Sequence, residues 1–190
     1  KKYIQEFRYH PNSSHYTKII NQKNFERLVH LIDNDRIYTG GSYNKEQLYI
    51  EPTILNNIDW NDQIMQEEIF GPILPVISFT DFNLTLNDIL NHEKPLAAYL
   101  FTSNNEEKEA FIKKISFGGG CINDVIMHLG NENLPFGGVG NSGIGNYHGK
   151  FGFETFSHQK AILEKATWGE PNIKYPPYSD KKLNWIKRFL

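Results

Sequence analysis

Residues 95–124, PLAAYLFTSNNEEKEAFIKKISFGGGCIND, decide the fold class, because they read as strand, helix and strand in succession. PLAAYLFTS (95–103) and GGGCIND (118–124) are short apolar runs. Between them NNEEKEAFIKKI (104–115) opens on Asn104, a good helix N-cap, with acids in its first turn where the helix dipole favours them. The same alternation extends upstream. PILPVISF (72–79) is a near-continuous apolar run, the pattern of a strand covered on both faces, and DFNLTLNDILNH (81–92) is a helix with Asp81 as N-cap. Strand, helix, strand, helix, strand predicts an α/β chain with a parallel sheet and right-handed crossovers.

Further towards the N-terminus, NQKNFERLVHLID (21–33) places Phe25, Leu28, Val29 and Ile32 on one stripe of an amphipathic helix. A short strand begins at Tyr38 and stops at Gly40-Gly41. LYIEPTIL (48–55) is extended, but Pro52 cannot donate to a ladder, so an edge or surface position is expected. Beyond Val125 the pattern weakens. A short helix is expected near 150–156, SHQKAILEK (157–165) reads as a strand, and no repeat or low-complexity tract is present. The terminal KKLNWIKRFL (181–190) places Leu183, Trp185, Ile186, Phe189 and Leu190 on a broad apolar helical face beside Lys and Arg. Such a helix either docks on the protein or makes peripheral contact with an anionic membrane.

Composition narrows the classes of function. With 190 residues the chain is long enough for one domain with its own core, and 39% hydrophobic with 22% charged residues argues against disorder. A net charge of −2 offers no basic surface for nucleic acid. One cysteine, Cys121, excludes a disulfide framework and fits a reducing compartment, so a cytoplasmic location is expected. The seven histidines lack H-x-H or H-x-x-x-H spacing, so no metal site is expected. The start, KKYIQEFRYH, has no initiator Met and no signal-peptide stretch, and reads as the interior of a longer chain.

LPFGGVGNSGIGNYH (134–148) contains G-x-G-x-x-G at Gly138, Gly140 and Gly143. A dinucleotide loop needs a buried strand before its first glycine and a helix after its third. Here GNENLPFG precedes it, and Gly145 and Gly149 would interrupt a helix on its C-terminal side at about 1 kcal/mol each. A glycine-rich structural turn is the better reading. Gly140-Asn141-Ser142-Gly143-Ile144 also fails as a nucleophile elbow, which requires a final Gly. Cys121 with His128 nearby could be a thiol nucleophile, but its apolar strand setting favours a buried structural cysteine.

Taken together, MQEEIFGPILPV (65–76), EKPLAAYLFTSN (93–104), NDVIMH (123–128), LPFGGVGNSGIGNYHGKFGFETFSH (134–158) and KYPP (174–177) resemble the aldehyde dehydrogenases, in particular the class 3, fatty-aldehyde-type branch. The resemblance covers essentially the whole chain. It implies part of a parallel-sheet catalytic domain over 1–156, an oligomerisation strand region over 157–170 and a tail with a short amphipathic helix over 171–190.

The resemblance also implies roles. Glu68 matches the carboxylate that accepts hydrogen bonds from the nicotinamide ribose of NAD or NADP, and Phe70 matches the wall beside the nicotinamide. Phe136 matches an aromatic of the substrate tunnel, with Ile126 and Leu129 as further lining. An apolar wall suits an apolar aldehyde substrate. Tyr147 and His148 belong to the YHGK signature, either contacting substrate or fixing the loop by a polar network, and Asn123 is a structural position. Without the resemblance, Glu67-Glu68 would read as a solvated edge and Phe136 as a core ring beside a turn.

Family chemistry uses a cysteine that attacks the aldehyde, hydride transfer to NAD(P), and hydrolysis of the thioester with a general-base glutamate. The resemblance places that cysteine and glutamate before Lys1, so no catalytic residue is expected in this chain, and the chain alone is expected to be inactive. A homodimer through 157–165 is expected for the whole enzyme. The alternative is a non-catalytic dimerisation or regulatory module on the same scaffold.

Overall fold

After a short helix α1 (Lys2–Phe7), the N-terminal part is organised by α2 (Gln22–His30). The Asn21 side chain caps α2 by accepting from the Asn24 N–H at 2.9 Å, and the stripe read from sequence turns Phe25 and Leu28 into the core. The computed structural model describes residues 1–7 and 9–188, so Phe189 and Leu190 of the expected terminal face lie outside the described residues. The chain divides into two compact units, Lys1–His92 and Glu93–Leu190. No helix among the described residues is long and apolar enough to cross a membrane.

In unit 1 the strands are short: β1 (Ile37–Thr39), β2 (Tyr43–Asn44), β3 (Tyr49–Ile50), β4 (Thr53–Leu55) and β5 (Ile73–Pro75). β2 and β3 form an antiparallel ribbon. The larger sheet has the order β1-β4-β5, antiparallel between β1 and β4 and parallel between β4 and β5, with Thr53 opposite Ile73. Leu28, Ile50 and Leu55 are fully enclosed, and with Phe25, Ile64 and Ile73 they make one apolar cluster. Helix α3 (Phe82–Leu90) follows, capped by Asp81 through the Leu84 N–H as its sequence predicts.

Two expectations about strand burial are corrected. Residues 48–55 are not peripheral: β4 is the central strand of its sheet, with Thr53 and Leu55 buried. Pro52 lies between β3 and β4, so its missing N–H interrupts no ladder. Conversely, 72–79 is not covered on both faces. Only Ile73–Pro75 is strand, and its alternation turns Ile73 into the cluster and Leu74 to the opposite face, which is left open: Leu74 is 57% exposed.

Unit 2 carries β6 (Ala97–Leu100), α4 (Asn105–Lys114) and β7 (Gly119–Ile122), with β6 and β7 paired in parallel and Tyr99 opposite Cys121. This is the strand–helix–strand of the quoted stretch, and Asn104 caps α4 by accepting from Glu106 N–H at 2.8 Å. Phe111 and Ile115 are its buried apolar residues, and Phe111 stacks on Phe117 at 5.3 Å. Helix α5 (Gly149–Thr155) lies where a short helix is expected. The strand expected over 157–165 is corrected: these residues are exposed and irregular, and no strand among the described residues pairs with them. Helix α6 (Asp180–Ile186) packs on the turn at Asn172–Lys174; Leu183 and Ile186 share a pocket of about 280 Å³ with Ile173 and Tyr178. Trp185 stays half exposed.

Two measurements check this packing. Leu55→Ala removes a fully enclosed side chain and is expected to destabilise unit 1 by about 3 kcal/mol in urea unfolding, against less than about 1 kcal/mol for Leu74→Ala on the open face. The Tyr16 hydroxyl donates to the Ile50 carbonyl at 2.8 Å, and burial, then neighbouring Tyr49, Tyr9 and Glu51, push its pKa above the ordinary tyrosine value. Tyrosine is charged only when it loses its proton, so a raised folded-state pKa means that the fold favours the neutral hydroxyl. This stabilisation is intact below about pH 10, where the unfolded chain also keeps the proton, and is lost as pH climbs towards the folded-state value. Stability is therefore expected to decline above about pH 10, and Tyr16→Phe to flatten that decline.

Candidate functional site

The segment Gln66–Gly71 is irregular, and among the described residues no backbone-to-backbone hydrogen bond involves 67–71. Its conformation is set by side chains. The Arg27 guanidinium donates through Nη1 to Glu67 Oε1 at 2.8 Å and through Nη2 to the Ile69 carbonyl at 2.6 Å. Ile69 packs on the apolar cluster. Gly71 lies against the next residue of α2: a Cβ there would come within 2.5 Å of Leu28 Cδ2. Between these fixed points Phe70 takes a φ of 47°, a region a bulky residue seldom adopts, and its ring is 77% exposed.

Glu68 and Phe70 come together in one cleft of about 620 Å³, whose walls also include Lys18, Ile19, Asn24 and Arg27. Among the described residues no hydrogen bond or ion pair holds the Glu68 carboxylate. Its neighbour Glu67 is taken by Arg27. A free carboxylate beside an exposed aromatic face can bind a ligand that offers two hydroxyl donors and a flat ring. Lys18 and Arg27 escaped the sequence reading; the one available signal for Arg27 was its place on α2 beside the buried stripe.

In unit 2 the glycine run is a closed turn, not an anion cradle. Ser142 stitches it: Val139 N–H donates to Ser142 Oγ at 2.9 Å, and that hydroxyl donates back to the Val139 carbonyl at 3.0 Å. Gly138 fits so tightly against the backbone of Ser142 and Gly143 that a Cβ would overlap both. The residues before the first glycine form no strand, and α5 begins at Gly149 rather than after Gly143.

This turn holds an aromatic cluster. Phe136 and Tyr147 exchange backbone hydrogen bonds at 3.0 and 2.8 Å, with rings edge to face at 5.7 Å. His148 stacks on Phe136 at 6.0 Å and meets the Tyr147 ring at 4.4 Å. The Leu134 carbonyl lies 3.2 Å from His148 Nδ1 and can only accept, so Nδ1 carries the proton. Phe136, Tyr147 and His148 are thus brought together. Ile126 immediately precedes a 3₁₀ turn (Met127–Gly130) that contains His128 and Leu129; Ile126 is largely exposed and Leu129 half buried.

His128, 8% exposed, was missed as part of this cluster: its ring lies 6.3 Å from Phe136 and 5.7 Å from Tyr99. Its Nδ1 is 3.6 Å from Cys121 Sγ, and Cys121 is half buried on β7. Asn123 is a tie between strand ends. Its Oδ1 accepts from Thr102 N–H at 2.8 Å and its Nδ2 donates to the Thr102 carbonyl at 2.9 Å.

Solved structures similar to this chain define its class. Staphylococcus aureus AldH in its substrate-bound state matches 99% of this chain and 42% of its own, with a TM-score of 0.90 at 42% identity. A Mycobacterium tuberculosis aldehyde dehydrogenase complexed with NAD+ matches 80% of this chain and 33% of its own, with a TM-score of 0.70 at 27% identity. The mixed α/β scaffold, with its parallel pairings, is that of the aldehyde dehydrogenases, which are oxidoreductases.

The chain belongs to the aldehyde dehydrogenase family, whose model matches residues 4–162. Its relatives include family 3 member A2 of Rattus norvegicus, 47% identical over 94% of this chain and 37% of that protein. They also include the 4,4'-diaponeurosporen-aldehyde dehydrogenase of Staphylococcus aureus, 43% identical over 94% of this chain and 39% of that protein. The chain thus spans well under half the length of the curated relatives it matches.

The closed turn makes its own prediction. Gly138→Ala is expected to cost unit 2 about 2 kcal/mol and to abolish the ring-current shift of the His148 imidazole protons in its NMR spectrum. An unshifted melt and an unchanged spectrum would contradict the packing described.

Proposed function

We propose that this chain contributes the nicotinamide-ribose carboxylate and the aldehyde-passage wall of an NAD(P)-dependent aldehyde dehydrogenase, which converts aldehydes to carboxylic acids. The observation that carries the reading is the pairing of Glu68 and Phe70 in one cleft, with the Glu68 carboxylate uncommitted. The cleft fits a nicotinamide ribose: about 620 Å³ is ample for a nucleoside, and an ionised carboxylate matches two vicinal hydroxyls with two charge-assisted bonds. When bound, the cofactor supplies the hydride acceptor. Glu68 then orients the sugar and Phe70 presents a flat apolar face to the ring beside it.

Phe136, Ile126, Leu129, Tyr147 and His148 are proposed to face the aldehyde. Their side chains are mostly apolar or aromatic, which suits medium- to long-chain or aromatic aldehydes. A relative named for 4,4'-diaponeurosporen-aldehyde supports that substrate class. His148 is held by Leu134 in the tautomer that leaves Nε2 as an acceptor, so it fixes the loop and offers one polar contact. The attacking cysteine and the general-base glutamate come, in this reading, from polypeptide that this sequence does not contain. The exposed 157–165 is assigned to subunit association in a homodimer, 171–190 to a tail, and the protein to the cytosol. The shared pocket in which Leu183 and Ile186 face Ile173 favours docking of α6 on the protein over membrane contact.

The purified 190-residue chain is expected to form no NAD(P)H from aldehydes. Fused behind the preceding residues of a family 3 relative it is expected to do so, and Glu68→Gln in that fusion is expected to raise KM for the cofactor about tenfold, the cost of one charge-assisted hydrogen bond. Turnover by the isolated chain overturns the division of labour, and an unchanged KM overturns the role of Glu68.

A further inference from the structure

Among the residues that no family resemblance singles out, Arg27 has the most specific contacts. It stands on α2, some 40 residues before the segment that it touches, and its side chain is mostly buried, 28% exposed. Two of its donors are used on that segment, one on the Glu67 carboxylate and one on the Ile69 carbonyl. Those two acceptors bracket Glu68 and immediately precede Phe70. No backbone hydrogen bond among the described residues performs that task for 67–71.

We infer that Arg27 is the positioning residue of the cofactor cleft: its forked guanidinium holds the 67–69 backbone in the one path that aims Glu68 and Phe70 into the opening. The inference rests on the cofactor reading for its purpose, but its geometry stands apart from it. Guanidinium suits the task because it is planar, permanently charged and offers donors at fixed spacing, whereas a lysine ammonium is a single point on a flexible stem. By pairing with Glu67, which also lines the cleft, Arg27 neutralises the nearest rival carboxylate and leaves Glu68 as the unpaired one. Leu28, the next residue on α2, backs Gly71 from the core side, so the two contacts together leave Phe70 in its unusual backbone conformation.

The test places 4-fluorophenylalanine at position 70 of the 190-residue chain and reads its fluorine NMR signal. Arg27→Met is expected to shift and broaden that signal through exchange between loop conformations. Arg27→Lys, which keeps the charge but not the fork, is expected to restore it only in part. Glu67→Gln, which leaves the Ile69 bond, is expected to change it little. If Arg27→Met does not fold, Arg27→Lys alone decides. A signal in the folded variants that superimposes on the parent overturns the inference.

In the cofactor-competent fusion, Arg27→Met is expected to raise KM for the cofactor about tenfold with kcat changed less than about twofold. A displaced signal with unchanged KM leaves the clamp standing and sinks the cofactor reading. An undisplaced signal sinks the clamp whatever KM does.

Discussion

Two consecutive residues of one helix carry the constraint on which the cleft depends. Leu28 is fully enclosed and anchors α2 in the unit 1 core, while its side chain also sets how near Gly71 can come. Arg27, one position earlier, lies at the margin of the buried stripe and reaches across to Glu67 and Ile69. The segment between has no ladder and no helix of its own, so its shape is borrowed from α2. Residues that order an irregular loop in this way link hydrophobic burial to the shape of a cleft.

Local chemistry was the legible part of the sequence. Asp81 and Asn104 cap the helices that begin just after them because their short side chains reach the free N–H groups of a first turn, an interaction that involves residues only two or three apart. The strand–helix–strand of 95–124 was legible for the same reason. Burial of strands was not. Pro52 suggested an edge, yet it falls in the gap between β3 and β4, and the buried pair Thr53 and Leu55 begins just after it. PILPVISF looked covered on both faces, but coverage depends on what packs there, and only the Ile73 face of β5 meets the apolar cluster.

The site shows the same division. Glu68 and Phe70 were legible through a resemblance that spans EEIFGP, and the glycine run could be rejected as a phosphate loop because its flanks were wrong for one. Nothing in the order of residues, however, joins position 27 to positions 67 and 69, nor His128 to Phe136 and Tyr99. Such contacts are set by tertiary closure, where sequence distance carries no information. The serine of the turn is intermediate: Ser142 sits three residues from Val139 and could have been read as a local stitch, but it was weighed only as a nucleophile elbow, a reading its pattern excludes.

Adjacent glutamates at 67 and 68 show how a single free carboxylate is produced. Two identical neighbours are told apart only by what each side chain meets. Both line the cleft, but Glu67 is bound by Arg27, whereas Glu68 has no hydrogen-bond or ion-pair partner among the described residues. Were the register shifted by one residue, Glu68 would meet the guanidinium and Ile69, an apolar side chain now packed on the core, would be turned towards water. The burial of Ile69 therefore selects which glutamate stays free, and the ion pair of Glu67 reinforces that choice. Charge at the opening is decided by an apolar contact beneath it.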